Sequence, residues 1–179
     1  MSTALLIIDV QSDLCTGDNA CFDIDNVLQR INGMSHAARE AGVPVVLVQH
    51  EDDDLQYGSA GWQLETRLLT DDADLKVRKT TPDSFLRTDL AELMKARDID
   101  HLVICGLQSD YCVDTTTRRA LAQGYSVTLV GDAHSTVDNA VLRAAQISAH
   151  HNAVLGSISS FGPRAKVVAA ADVRFREAP

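Results

Sequence analysis

The amino-acid sequence predicts an α/β protein, a three-layer αβα sandwich in which helices cover both faces of a mostly parallel sheet of about six strands. Three observations lead there. Short apolar runs alternate with longer amphipathic ones along the chain. The short runs are apolar at nearly every position, as strands buried on both faces are. The connections are long enough to hold a helix, which is what joining two parallel neighbours requires.

The strands are read first. Ala4 to Ile8 is one, and Pro44 to Val48 is another, valine-rich and preceded by the helix-ending Gly42. His101 to Cys105 and Ser126 to Val130 are two more, and Leu75 to Arg78 and Lys166 to Val173 complete the set. Helical spacing lies between them. Asp25 to Ala41 carries Val27, Leu28, Ile31, Met34, Ala38 and Ala41 on one stripe, with Asp23 or Asp25 available as a cap. Asp83 to Arg97 follows Pro82 and aligns Phe85, Leu86, Leu90, Leu93 and Met94. Val113 to Gln123 stops at Gly124, and Asp138 to His151 turns Val141, Leu142, Ala145 and Ile147 inward. The stretch 49–74 is irregular, with an acidic run from Glu51 to Asp54 followed by Tyr57-Gly58-Ser59-Ala60-Gly61-Trp62. Long insertions of this kind in an open α/β sheet are usually functional. No linker or repeat divides the chain, which reads as a single domain, 1–179.

Composition narrows the partners. The 179 residues, 45% hydrophobic and 23% charged, suffice for a full core without metal or disulfide staples. A formal net charge of −9 argues against nucleic acid or an anionic membrane as partner. The apolar start lacks a basic leader segment and ends on Asp9, and no window has the length of a membrane span. A cytoplasmic location is the expectation, and Cys15, Cys21, Cys105 and Cys112 are then reduced thiols.

Ligands of open parallel sheets bind beyond the carboxyl ends of the strands. Three chemically capable residues fall there: Asp9 after the first strand, Lys79 after the third, and Cys112 after the fourth, where the next helix begins. Each has a bland alternative as a turn cap, a solvated cation or a small buried hydrophobe. Together they supply what covalent acyl transfer needs. A helix N-terminus and a lysine would stabilise a thiolate, and a carboxylate could take and return a proton.

These residues stand in three motifs: Leu6-Ile7-Ile8-Asp9-Val10-Gln11, Arg78-Lys79-Thr80-Thr81-Pro82-Asp83-Ser84-Phe85, and Cys105-Gly106-Leu107-Gln108-Ser109-Asp110-Tyr111-Cys112-Val113. In this order they resemble the isochorismatase-like cysteine hydrolases, a family that includes nicotinamidases, N-carbamoylsarcosine amidases and streptothricin hydrolases. The resemblance runs from Leu5 to about Val173. It implies Cys112 as nucleophile, Asp9 as general base and then acid, and Lys79 as their cationic partner. It further implies a cis peptide joining Leu107 and Gln108, with the backbone N–H groups of Gln108 and Cys112 forming an oxyanion hole. The implied reaction is cleavage of a C–N bond (amide, lactam or carbamoyl) of a small molecule through a thioester. A homo-oligomer, dimer or tetramer, is implied as well.

The nicotinamidase branch holds a metal through an Asp-x-His pair after the second strand and two later histidines. Here that position reads His50-Glu51-Asp52, and no histidine lies between His50 and His101. The expectation is therefore no metal and no cofactor. Isochorismatase itself cleaves a vinyl ether without a cysteine nucleophile, so Cys112 favours C–N cleavage. Segments such as Gly61-Trp62-Gln63-Leu64 and Asp132-Ala133-His134-Ser135-Thr136 look closest to the streptothricin-hydrolase-like branch. Leu14, Trp62 and Tyr111 are the expected pocket wall, with His50 and His134 as its polar members. His150 and His151, at a helix end, are left outside. The alternatives are a nicotinamidase-type or isochorismatase-type hydrolase and an inactive binding protein of the same fold. A phosphate-binding flavodoxin-like module is disfavoured by the lack of any glycine-rich phosphate loop.

Overall fold

Six strands form one sheet in the computed structural model, which describes residues 2–175; Met1 and 176–179 of the expected 1–179 unit lie outside the described residues. They are β1 (Ser2–Ile8), β2 (Val45–His50), β3 (Leu75–Lys79), β4 (Ile99–Leu107), β5 (Ser126–Ser135) and β6 (Ala165–Val168). Every neighbour pair is parallel, and the order is β3-β2-β1-β4-β5-β6. The chain thus builds outward from β1 on one side, then returns to β1's other edge with β4. That reversal opens a crevice above the ends of β1 and β4, where open sheets of this kind bind ligands.

Side chains alternate across β1, so Ala4, Leu6 and Ile8 enter one core and Leu5 and Ile7 the other. On the second face lies α2 (Ile24–Glu40), burying Val27, Leu28, Ile31, Met34 and Ala38 as its spacing predicts. The first face is covered by α3 (Leu90–Lys95), α4 (Asp114–Ala122) and α5 (Ala144–Ser157), through Leu90, Met94, Ala120, Leu121 and Leu155. One further short turn of helix, α1 (Ser12–Cys15), follows β1 at the crevice. Among the described residues no helix is long and apolar enough to cross a membrane.

Several predicted boundaries move, each for a local reason. The helix expected over 83–97 forms only at Leu90–Lys95. Arg87 sits at φ +59, and Thr88 Oγ1 donates to the Ser84 carbonyl while accepting from Leu90 N–H, so residues 83–89 are turns and Leu86 is exposed. The helix expected over 138–151 starts six residues later. Asn139 Oδ1 caps Val141 and Leu142 N–H and Asp138 Oδ1 caps Ala144 N–H, leaving Val141, Leu142 and Ala145 exposed and only Ile147 inward. β5 runs on to Ser135 after a register shift against β4, where Ile104 pairs with Leu129 but Gly106 with His134. β6 ends at Val168, because Asp132 Oδ1 accepts from Ala170 N–H and turns the chain.

Gly106 fixes how closely β4 can pass β1. It has φ +115, and a Cβ there would collide with the Ile8 carbonyl oxygen and lie 2.6 Å from the Ile8 nitrogen. Gly106→Ala is therefore expected to destabilise the protein by ~3 kcal/mol or more, read as a lowered urea midpoint at unchanged m-value.

Candidate active site

β3 ends on Lys79, and its register with β2 sets Lys79 beside His50. Asp9 follows β1 directly, in the left-handed region at φ +51, which turns the chain sharply at the head of the crevice. Lys79 and Asp9 are each only 1% exposed. The ammonium of Lys79 donates to three acceptors: Asp9 Oδ2 at 2.7 Å, Cys112 Sγ at 3.2 Å and His50 Nδ1 at 3.2 Å. Its three protons are thus all used. Because His50 Nδ1 accepts, its Nε2–H is the donor to Asp52 Oδ2 at 2.9 Å. That bond holds the Asp52 carboxyl below its ordinary range. Asp9 Oδ1, by contrast, is buried without a hydrogen-bond partner.

Cys112 stands in a single wide turn, Ser109–Val113, that leads into α4. The Leu107–Gln108 peptide before it is cis, as the resemblance implies. Tyr111 and Val113 N–H both donate to the Gln108 carbonyl, which closes the turn just before and after Cys112. The sequence led us to expect a stabilised thiolate at this helix start. Burial, and then the Asp9 carboxylate, push the Cys112 thiol up to about 12, against the downward pull of Lys79.

Above this cluster opens a cavity of about 520 Å³ lined by Asp9, Asp13, Leu14, Asn19, His50, Asp52, Asp54, Leu55, Thr80, Pro82, Gln108, Tyr111 and Cys112. Leu14, His50 and Tyr111 are where the sequence reading placed them. Trp62 is not. Its ring packs edge-on against Tyr57 at 4.7 Å, and its carbonyl accepts from Gln11 and Gln49 Nε2. Tyr57 in turn lies under the Arg78 guanidinium, which also forks onto Glu51 with two bonds of 2.8 Å. Trp62 thus braces the 49–74 stretch, and Asp52, Asp54 and Leu55 of that stretch form the wall. His134 is also outside the cavity, 3% exposed and bonded to Ser109 and Asn152. His151 pairs with Asp114 at 3.0 Å, away from the cluster.

Gln11 is a positioning residue that sequence reasoning passed over. Fully buried, it donates to the His50 and Trp62 carbonyls and accepts from His50 N–H, tying the ends of β1 and β2 to the cavity wall. Its place two residues beyond the strand-end Asp9 was the available signal. Asp13, in α1, and Asn19, in the turn after it, also line the cavity, and neither stands in one of the three motifs.

Asp9, His50 and Cys112 offer ligand atoms within 4.8 Å of one another, the spacing of a metal site. All three already accept from Lys79 Nζ, so a divalent ion would have to sit against a buried ammonium. The set does not fit a metal.

A cysteine, a carboxylate and a lysine thus meet at the strand-order reversal of a parallel sheet. The isochorismatase domain family matches residues 3–160, and the chain belongs to that family. A streptothricin hydrolase of Streptomyces noursei is 36% identical over 139 residues, which are 75% of this chain and 55% of that one, so the chain spans about half the length of that relative. A ureidoacrylate amidohydrolase of Caulobacter segnis is 29% identical over 172 residues, covering 74% of this chain and 72% of its own. The crystal structure of an isochorismatase from Pseudomonas putida superposes with a TM-score of 0.88 at 29% identity, over 96% of this chain and 89% of that one.

Two outcomes follow from the cluster. Lys79→Met strands the Asp9 carboxylate in the interior and is expected to lose about 3–5 kcal/mol in denaturant melts, while Asp9→Asn/Lys79→Met loses less because no charge is left unpaired. Asp9→Asn alone removes the charge that raises the Cys112 pKa while Lys79 still pulls it down. The pH profile of iodoacetamide labelling at Cys112, followed by peptide mass, is therefore expected to shift to lower pH in that variant.

Proposed function

We propose that this protein is a cysteine-nucleophile hydrolase that cleaves a C–N bond, in an amide, lactam or carbamoyl group, of a small molecule. The observation that carries the reading is the buried meeting of Cys112 Sγ, the Asp9 carboxylate and Lys79 Nζ at the foot of the cavity, with Asp9 Oδ1 left without a partner. The activities named for the streptothricin hydrolase and the ureidoacrylate amidohydrolase support hydrolysis of this type.

The proposed steps follow from the protonation states. A thiol with its pKa near 12 is a poor nucleophile at neutral pH, so its proton must leave as the sulfur attacks. Asp9 accepts that proton, and Cys112 Sγ bonds to the carbonyl carbon. The carbonyl oxygen takes up negative charge against the N–H groups of Gln108 and Cys112, where each donor is worth about 2.7–4 kcal/mol in the transition state. The C–N bond then breaks, and Asp9 returns its proton to the departing nitrogen. Water attacks the thioester, giving one proton to Asp9; the C–S bond breaks and Asp9 reprotonates the sulfur. Lys79 Nζ, bonded to both, offsets whichever of Asp9 and Cys112 carries the negative charge.

The test is a panel of small amides, lactams and carbamoyl compounds, quenched in acid during turnover and weighed by intact mass. The expected result is an adduct equal to the acyl half of the substrate on Cys112, absent in Cys112→Ala. Turnover retained by Cys112→Ala would sink the proposal. For the cavity wall, Tyr111→Ala is expected to raise KM several-fold at nearly constant kcat, because the ring contacts substrate and not the reacting atoms.

A further inference from the structure

We infer that His134 is a positioning residue that holds the nucleophile turn in register with Asp9 and Lys79, acting through Ser109 and Asn152. The inference rests on the proposed role of Cys112. The chain of bonds begins at Gly131, whose carbonyl accepts from Asn152 Nδ2 at 2.8 Å. A Cβ there would sit 2.8 Å from Val167 Cγ1 and 3.1 Å from both polar atoms of the Asn152 amide, so a larger residue would have to push these side chains aside. With Nδ2 committed, Asn152 Oδ1 faces His134 Nε2 at 2.9 Å, so that nitrogen carries the proton. His134 Nδ1 is then the acceptor for the Ser109 hydroxyl at 2.7 Å, and Ser109 Oγ accepts from Ser148 Oγ–H at 2.8 Å. Burial holds His134 below the usual histidine range, which keeps the ring neutral and one nitrogen available as an acceptor.

The arrangement of serine, histidine and amide has the parts of a hydrolytic triad, but Ser109 is 0% exposed and does not line the cavity. Its value is positional. Ser109 opens the turn that ends at Val113, directly after Gln108 and three residues before Cys112. Through His134 this turn is tied to β5, and through Ser148 and Asn152 to α5, which also packs against the turn. A second tie, Thr136 Oγ1 to Asp110 Oδ1 at 2.6 Å, pulls from the same strand end. A displaced turn would move the sulfur relative to both Asp9 and the substrate carbonyl, where a shift of about 1 Å can cost roughly 100-fold in rate.

The structure provides its own control. His101 bridges Thr3 Oγ1 and Thr128 Oγ1 at 3.0 and 2.9 Å, near the starts of β1, β4 and β5 and far from the cavity. His134→Phe, Ser109→Ala, the double variant and His101→Phe are compared by steady-state kinetics on an amide the wild type hydrolyses, by thermal melts, and by hydrogen exchange of the peptide covering the nucleophile turn. His134→Phe and Ser109→Ala are expected to lower kcat at least ~10-fold with KM within about twofold, and to speed exchange of that turn. The double variant should be no slower than the slower single, because both break one link. His101→Phe should lower the melting temperature and leave kcat and turn exchange unchanged. An equal loss of kcat in His101→Phe, or wild-type kcat and turn exchange in Ser109→Ala, would overturn the inference. If no amide is turned over by the wild type, the proposed function fails, while the exchange arm still decides whether His134 holds the turn.

Discussion

The structure depends on one buried ammonium. Removing Lys79 from water costs several kcal/mol unless its protons find acceptors, and the acceptors come from three separate places in the chain. Asp9 closes β1, His50 closes β2, and Cys112 stands in the turn after β4, while Lys79 itself closes β3. Four strand ends must therefore be level for the charge to be satisfied. The parallel order β3-β2-β1-β4 makes them level, with the reversal between β1 and β4 leaving open space above the cluster. Topology and electrostatics constrain each other here.

The same ammonium sits between two groups that compete for one negative charge. Lys79 cannot by itself hold Cys112 as a thiolate, since burial and the Asp9 charge both oppose it. What it can do is offset one negative charge shared between carboxylate and sulfur. In the proposed chemistry, proton transfer from Cys112 to Asp9 moves that charge a short distance beside a fixed cation, without creating a second one. The proposed chemistry needs this economy, because an interior with so few polar partners would not tolerate two anions.

Around the cluster, polar contacts do the aligning and apolar ones the covering. Gln11 ties β1 to β2 and to the wall, and Arg78, Glu51, Tyr57 and Trp62 brace the irregular stretch from outside. The Ser109–Val113 turn is gripped from the opposite side, by His134 and Thr136. Asp52 has two tasks. It orients His50 and presents a carboxylate to the cavity, where Asp13 and Asp54 make the wall acidic.

Much of the fold was legible because burial on both faces leaves a mark in single residues. Unbroken apolar runs gave β1, β2 and β4, and the 3.6-residue stripe of Val27, Leu28, Ile31, Met34 and Ala38 gave α2. The boundaries at 83–89 and 138–143 were not legible, since Thr88, Asn139 and Asp138 could equally have sat on helix surfaces until their capping bonds formed. Asp9, Lys79 and Cys112 could be named from strand ends and ordered motifs. Their protonation states could not, because a thiol's pKa depends on how much water is excluded and on charges brought near by other strands. Trp62 and His134 show the same division: sequence placed both close to the functional edge, but only packing decided that one braces a loop and the other grips a turn. Local patterns determined which elements form and which residues reach the crevice. The tertiary structure decided what each of them does there, since distance and desolvation exist only once distant segments meet.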